Sequence, residues 1–126
     1  MFCNQCEQTV KDTGRTVQGV CGKQPEASDL MDNLIYGLKG LALYAAQARS
    51  LGVVDDGINR HTIASLFSTI TNVHFDPERL ETLIHRCASL RHKAKILYEQ
   101  AATIKGIPPI RRAGPRTGSR PMDGRL

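Results

Sequence analysis

The segment from Asp76 to Pro109 leaves the backbone little choice. The carboxylate of Asp76 suits a helix N-cap, Pro77 suits the first helical position, and Glu78 puts negative charge in the first turn. Leu80, Ile84, Cys87, Leu90, Ala94, Leu97, Ala101 and Ile104 then recur at steps of three and four, one continuous face of a helix. Lys105-Gly106 and Pro108-Pro109 end it. A helix that is apolar along one side has to bury that side against other elements.

Two further helical segments supply those elements. Pro25 opens the first, and Leu34, Leu38, Leu41, Ala45 and Ala48, flanked by Leu30, Met31 and Ile35, form a stripe running to about Leu51, where Gly52 stops it. Gly37 and Gly40 lie inside this helix at about 1 kcal/mol each relative to Ala, and close approach of a neighbouring helix accounts for them. The second segment covers Ile58 to Val73, with Ile63, Leu66, Phe67, Ile70 and Val73 expected to face inward. No strand alternation stands out. The expected fold is therefore all-α, an antiparallel helical bundle of about three helices preceded by an N-terminal cysteine loop. With 126 residues, no Trp and 5% aromatic content, one domain with a core of Leu, Ile, Ala and Val is expected, large enough to fold without disulfides.

Charge separates the ends from the body. The net charge is +5, but beyond Gly106 Arg111, Arg112, Arg116, Arg120 and Arg125 stand against Asp123 alone, a net of +4, which leaves the body near +1. The body therefore makes no electrostatic case for a nucleic-acid partner. Residues 108–126 are rich in Arg, Gly and Pro with almost nothing to pack, and disorder is expected there. The abrupt change of composition reads as a shifted or truncated reading frame. A basic binding tail is the alternative, but no aromatic residues are interleaved to stack on bases. No apolar run approaches the ~20 residues of a membrane span. The N-terminus has neither the basic start nor the apolar stretch of a secretory signal, so a cytoplasmic location is expected.

Residues 1–24 carry little apolar material and are punctuated by Gly14, Gly19 and Gly22, as in a loop wrapped around something. Cys3-Asn4-Gln5-Cys6 is a C-x2-C, and Cys21 follows after fourteen intervening residues between Gly19 and Gly22. In a reducing compartment such thiols read as metal ligands or redox groups before disulfides. The spacing lets two thiolates face one metal while the intervening amides turn toward sulfur, an arrangement that tunes an iron–sulfur centre. A zinc site and a thioredoxin-like redox pair share the C-x2-C, although the latter calls for a strand followed by a helix N-terminus, and no strand is visible. A fourth ligand has to be sought. Cys87 lies on the apolar stripe of the third helix and is expected to be a small core residue. His61, His74, His85 and His92 are scattered and are expected at the solvated helix surface or at caps. Glu7, Asp12, Glu26 and Asp29 read as solvated charges or helix-start residues, and no acid–base pair or nucleophile arrangement is apparent.

Met1-Phe2-Cys3-Asn4-Gln5-Cys6-Glu7-Gln8-Thr9, Val20-Cys21-Gly22-Lys23 and Leu34-Ile35-Tyr36-Gly37-Leu38-Lys39-Gly40 closely resemble the N-terminus of the hybrid cluster protein family, also called hydroxylamine reductase. The resemblance covers about residues 1–107. It implies a cytoplasmic iron–sulfur protein several times longer than this chain, with an all-helical N-terminal region. There, four cysteines hold a cubane 4Fe-4S cluster, or a 2Fe-2S cluster in one subclass. It also implies a hybrid iron–sulfur–oxygen cluster in later domains, where hydroxylamine is reduced to ammonia and nitric oxide is reduced.

On this resemblance Cys3, Cys6 and Cys21 match three cluster ligands, and the pattern C-x2-C-x8-C-x5-C puts the remaining one at position 15, where this chain has Arg15. A guanidinium is cationic at any working pH and cannot replace a thiolate. A cubane on three cysteines or a 3Fe-4S form is then implied, less durable in oxygen than a four-cysteine site. The expected organisation is an iron–sulfur loop at 1–24, a helical bundle at 25–107 and an Arg/Gly/Pro tail at 108–126. The implied role is to pass electrons from a redox donor protein to a catalytic cluster housed elsewhere, with a second chain as one source of the missing domains. No catalysis is expected of this chain alone. The alternatives are a zinc-binding helical module and a metal-free helical remnant of a truncated gene.

Overall fold

The computed structural model describes residues 21–70 and 76–108. They form three helices, α1 (Pro25–Ser50), α2 (Asp56–Ile70) and α3 (Pro77–Ile104), with no strand among the described residues. The all-α expectation is met. The tail beyond residue 108 lies outside the described residues.

The ends of α1 and α3 follow from their local chemistry. Pro25 opens α1 without a side-chain cap, whereas Asp76 caps α3 by accepting the backbone N–H of Glu78 at 3.0 Å. Both helices finish in the same way. Val53 N–H donates to the Ala48 carbonyl and Gly52 N–H to that of Arg49; Ile107 N–H donates to Ala102 and Gly106 N–H to Thr103. This double bond pattern requires a left-handed residue just past the helix, and Gly52 and Gly106 supply it at φ 84° and 66°. The N-terminus of α2 was not legible as such. The helix begins at Asp56 rather than Ile58, because Asp55 caps it by accepting the Ile58 N–H at 2.9 Å.

Contacts between the helices give the topology. Gly37 meets Cys87, and Ala48 and Tyr44 meet Tyr98. Position therefore rises together along α1 and α3, and the two run parallel. Asp55, just before α2, pairs with Lys93, whereas His61, six residues further on, feels Arg86. α2 thus runs antiparallel to α3, giving an up–down–up bundle. The core is built mainly between α1 and α3 from Met31, Leu34, Leu38, Leu41, Leu80, Cys87 and Ala94, joined from α2 by Ile58. Near the end of α3 the buried face passes to Tyr98, Ala101 and Ala102, and Ile104, expected on the inner stripe, is 86% exposed. A straight helix drifts relative to a strict seven-residue repeat, so a stripe this long leaves the interface at its end.

The largest departure concerns α2. Ile63, Leu66, Phe67 and Ile70 were expected inside, yet they are 69%, 46%, 58% and 67% exposed. Ile58, His61, Ser65, Ser68 and Thr69 face the bundle instead. Val73 lies outside the described residues. Two stripes of helical period run along this helix, and the polar one is buried. It can be, because its hydroxyls find acceptors on their own helix. Ser68 Oγ donates to the Ala64 carbonyl at 2.9 Å and Thr69 Oγ1 to that of Leu66 at 2.7 Å.

Candidate metal centre

The approach to the bundle begins at Cys21. Its thiol is exposed and free, Gly22 turns the chain at φ 86°, and α1 starts at Pro25. A thiolate donor must be reachable from outside, and Cys21 is exposed. Cys3, Cys6 and Arg15 lie outside the described residues. Lys23, two positions after Cys21, is 3% exposed. A buried ammonium has to be balanced by negative charge or hydrogen bonds, and Lys23 has a partner within the protein. No pattern in the sequence marked Lys23 as buried. Only its place beside Cys21 and ahead of a helix start could have drawn notice.

Cys87 is different in every respect. It is 1% exposed in the α1–α3 core, and its Sγ lies 3.3 Å from where a side chain on Gly37 would begin. Gly37 is twelve residues into α1, so this thiol packs about 18 Å along the helix from Pro25. Burial pushes the Cys87 thiol above its ordinary value, and the nearby Arg91 charge offsets this only in part. A thiol enclosed between two helices serves as a packing group, and the expected role of Cys87 as a core residue holds.

The histidines divide. His85 and His92 are exposed on α3, as expected, and His74 lies outside the described residues. His61 was expected at the surface but is 4% exposed, with Nε2 3.3 Å from Ser65 Oγ. Burial, followed by the Arg86 charge, lowers its affinity for a proton. Both members of the pair sit on one helix, a turn apart, facing the bundle interior, and among the described residues no third group orients them as a nucleophile. The signal that could have found His61 is its spacing. Ile58, His61 and Ser65 fall on one helical face.

No group of three His, Cys, Asp or Glu side chains converges among the described residues. Glu26 is exposed in the first turn of α1, as expected. Asp29 was expected to be solvated or at a helix start, but its Oδ1 is buried and has no hydrogen-bond partner. The shallow cleft where α1 turns into α2 is lined by Ala48, Arg49, Val54, Asp55, Ile58 and Asn59 among others. Its polar groups are occupied with one another. Arg49 donates to Asn59 Oδ1 at 2.8 Å, and Asp55 pairs with Lys93 at 2.6 Å. The Lys93 hydrogen bond, aided by the Ile58 N–H, holds the Asp55 carboxyl below its usual value. These contacts join helices and leave no reactive group facing the cleft. No helix among the described residues is long and apolar enough to cross a membrane.

Comparison with known proteins places this arrangement. The chain is 50% identical over 117 residues to the hydroxylamine reductase of Geobacter sulfurreducens, covering 91% of this chain and 21% of that protein. It is 56% identical over 101 residues to the hydroxylamine reductase of Syntrophobacter fumaroxidans, covering 80% and 19% respectively. To that of Geobacter metallireducens it is 48% identical over 101 residues, covering 80% and 18%. The chain thus spans about a fifth of the length of the curated relatives it matches. The model of the Prismane/CO dehydrogenase family matches residues 1–112, which take in Cys3, Cys6, Cys21 and all three helices. The chain belongs to the Prismane/CO dehydrogenase family.

Proposed function

We propose that this chain is the N-terminal iron–sulfur region of a hydroxylamine reductase-like protein. Cys3, Cys6 and Cys21 are its cluster ligands. The observation that carries the reading is the thiol pattern C-x2-C followed by Cys21, within a stretch matched to the family from its first residue. One structural fact supports it. Cys21 is exposed just ahead of α1.

The cluster, when bound, supplies one-electron redox chemistry. This chain's residues hold it and set its surroundings. The thiolates fix its position, the backbone amides between Cys3 and Cys6 can donate to its sulfurs, and the helices fix where the loop ends. With Arg15 where the family pattern calls for a fourth cysteine, one iron is left without a protein thiolate. A 4Fe-4S cluster on three cysteines, or a 3Fe-4S form, follows in preference to a 2Fe-2S centre. The role is to relay electrons from a redox donor protein to a catalytic centre in the part of the family protein that this chain does not span. Reduction of hydroxylamine or nitric oxide belongs to that larger assembly and not to this chain alone. The setting is cytoplasmic, and the working division is a loop at 1–24, a bundle at 25–107 and a tail at 108–126.

The test is anaerobic purification and reconstitution with iron and sulfide, followed by elemental analysis, absorbance and EPR before and after reduction. Bound iron with a charge-transfer absorbance and an EPR signal, in the oxidised state for a 3Fe-4S form or the reduced state for a 4Fe-4S form, supports the reading. Zinc in place of iron, or a colourless metal-free protein, overturns it.

A further inference from the structure

We infer that the outward face of α2 is the surface on which the rest of a hydroxylamine reductase-length chain docks. This inference rests on the position within the family protein proposed above. Ile63, Leu66 and Ile70 lie at helical spacing and are 69%, 46% and 67% exposed, with Phe67 beside them at 58%. From His61 to Ile70 the helix carries no Asp, Glu, Lys or Arg. Interface cores are depleted of charge in this way, whereas solvated helix faces are not.

The other side of α2 sharpens the point. His61, Ser65, Ser68 and Thr69 are buried against the bundle while Ile63 and Ile70 face out. For an isolated bundle this orientation is inverted, because turning α2 about its axis would bury the larger apolar side chains and return the hydroxyls to water. An orientation that spends small polar residues on the inside is explained if the apolar side is claimed by a second body.

The size of the face selects that body. Ile63, Leu66 and Ile70 present on the order of a few hundred Å² of apolar surface, at the scale of a functional patch on a monomer. A stable complex between separate copies needs about 800 Å² from each partner, which this face does not reach alone. A tethered region does not bear the full association cost, because the tether fixes a high effective concentration and interdomain contacts within a chain are smaller. The curated relatives carry such a region, since this chain spans 21% of the Geobacter sulfurreducens protein.

The test compares the whole 126-residue chain with a full-length chimera in which residues 1–112 replace the matching part of the Geobacter sulfurreducens hydroxylamine reductase. Hydroxyl-radical labelling read by mass spectrometry reports side-chain access. In the free chain Ile63, Leu66 and Ile70 should label strongly, and sedimentation should show a monomer. In the chimera their labelling should fall about fivefold, as for a change from half-exposed to core. The double variant Ile63→Ser/Ile70→Ser should leave the urea midpoint of the free chain unchanged and lower that of the chimera.

Undiminished labelling in a folded chimera overturns the inference, as does a chimera that fails to fold. A free chain that dimerises through this face, with Ile63→Ser/Ile70→Ser dissociating it, overturns it in favour of a second copy. Iron content is read on the same chimera. A protected face without iron upholds docking and rejects the cluster reading, and an iron-loaded chimera with a labelled face does the reverse.

Discussion

Gly37 and Cys87 meet closely between α1 and α3, and substituting both residues tests that packing quantitatively. A Cβ at position 37 would lie 3.3 Å from Cys87 Sγ and 3.9 Å from its Cβ. Replacing Gly by Ala inside a helix contributes about 1 kcal/mol of stability. Against this, a methyl forced into a packed core costs about 1–3 kcal/mol, and Cys87 at 1% exposure has little room to yield. Gly37→Ala should therefore lose about 1 kcal/mol. Cys87→Ala, by removing a buried sulfur and leaving a small void, should also lose about 1 kcal/mol. In the double variant the new methyl occupies space the sulfur vacates and the helix gain remains, so stability should return to within about 0.5 kcal/mol of the parent. The coupling is then about 2 kcal/mol, read from urea unfolding midpoints at equal slope. If the two losses add to within about 0.5 kcal/mol, the close approach described here is wrong.

The remaining predictions address other contacts. Leu34 is fully buried in the core, so Leu34→Ala should cost about 2–5 kcal/mol in urea unfolding. Asp55→Asn keeps the cap on Ile58 and loses only the charge paired with Lys93, whereas Asp55→Ala loses both and should be about 1 kcal/mol less stable than the Asn variant. Because the folded state binds a proton at His61 less readily than the unfolded chain, stability should be full above the ordinary imidazole value of 6.5 and fall as pH drops below it. The part of that decline due to His61 should vanish in His61→Gln, measured as urea midpoints at about pH 7.5 and 5.5. Arg15→Cys should raise bound iron and slow its loss in air, measured by iron analysis over time; unchanged iron content would mean the loop lacks the family geometry.

Much of the bundle could be read from side-chain spacing, and α2 shows where that reading runs out. In α3 one stripe is apolar and the other charged, so only one orientation lets charge reach water. The capping groups Asp76, Pro77 and Gly106 fall at matching positions in the sequence. In α2 both stripes lack charge after Arg60. Periodicity alone ranks Ile and Phe over Ser and His, yet it does not register that hydroxyls can satisfy themselves on their own helix, nor that an apolar face can be reserved for another surface. The Asp55 cap was missed for a similar reason. A capping carboxylate followed by another acid and a glycine looks like a loop until the helix behind it is known. At the metal centre the cysteine spacing was plain in sequence, while the burial of Lys23 depends on packing that no local pattern encodes.

Iron and acid-labile sulfide counted per chain, after anaerobic reconstitution of the parent and of Cys3→Ser, Cys6→Ser, Cys21→Ser and Cys87→Ser, tests the central claim most directly. The parent should bind about three to four iron atoms and about four sulfides. Each of the first three variants should lose nearly all of both, and Cys87→Ser should keep parental values if that chain remains folded by circular dichroism. A parent without iron and sulfide, or full retention of both in Cys21→Ser, would contradict it.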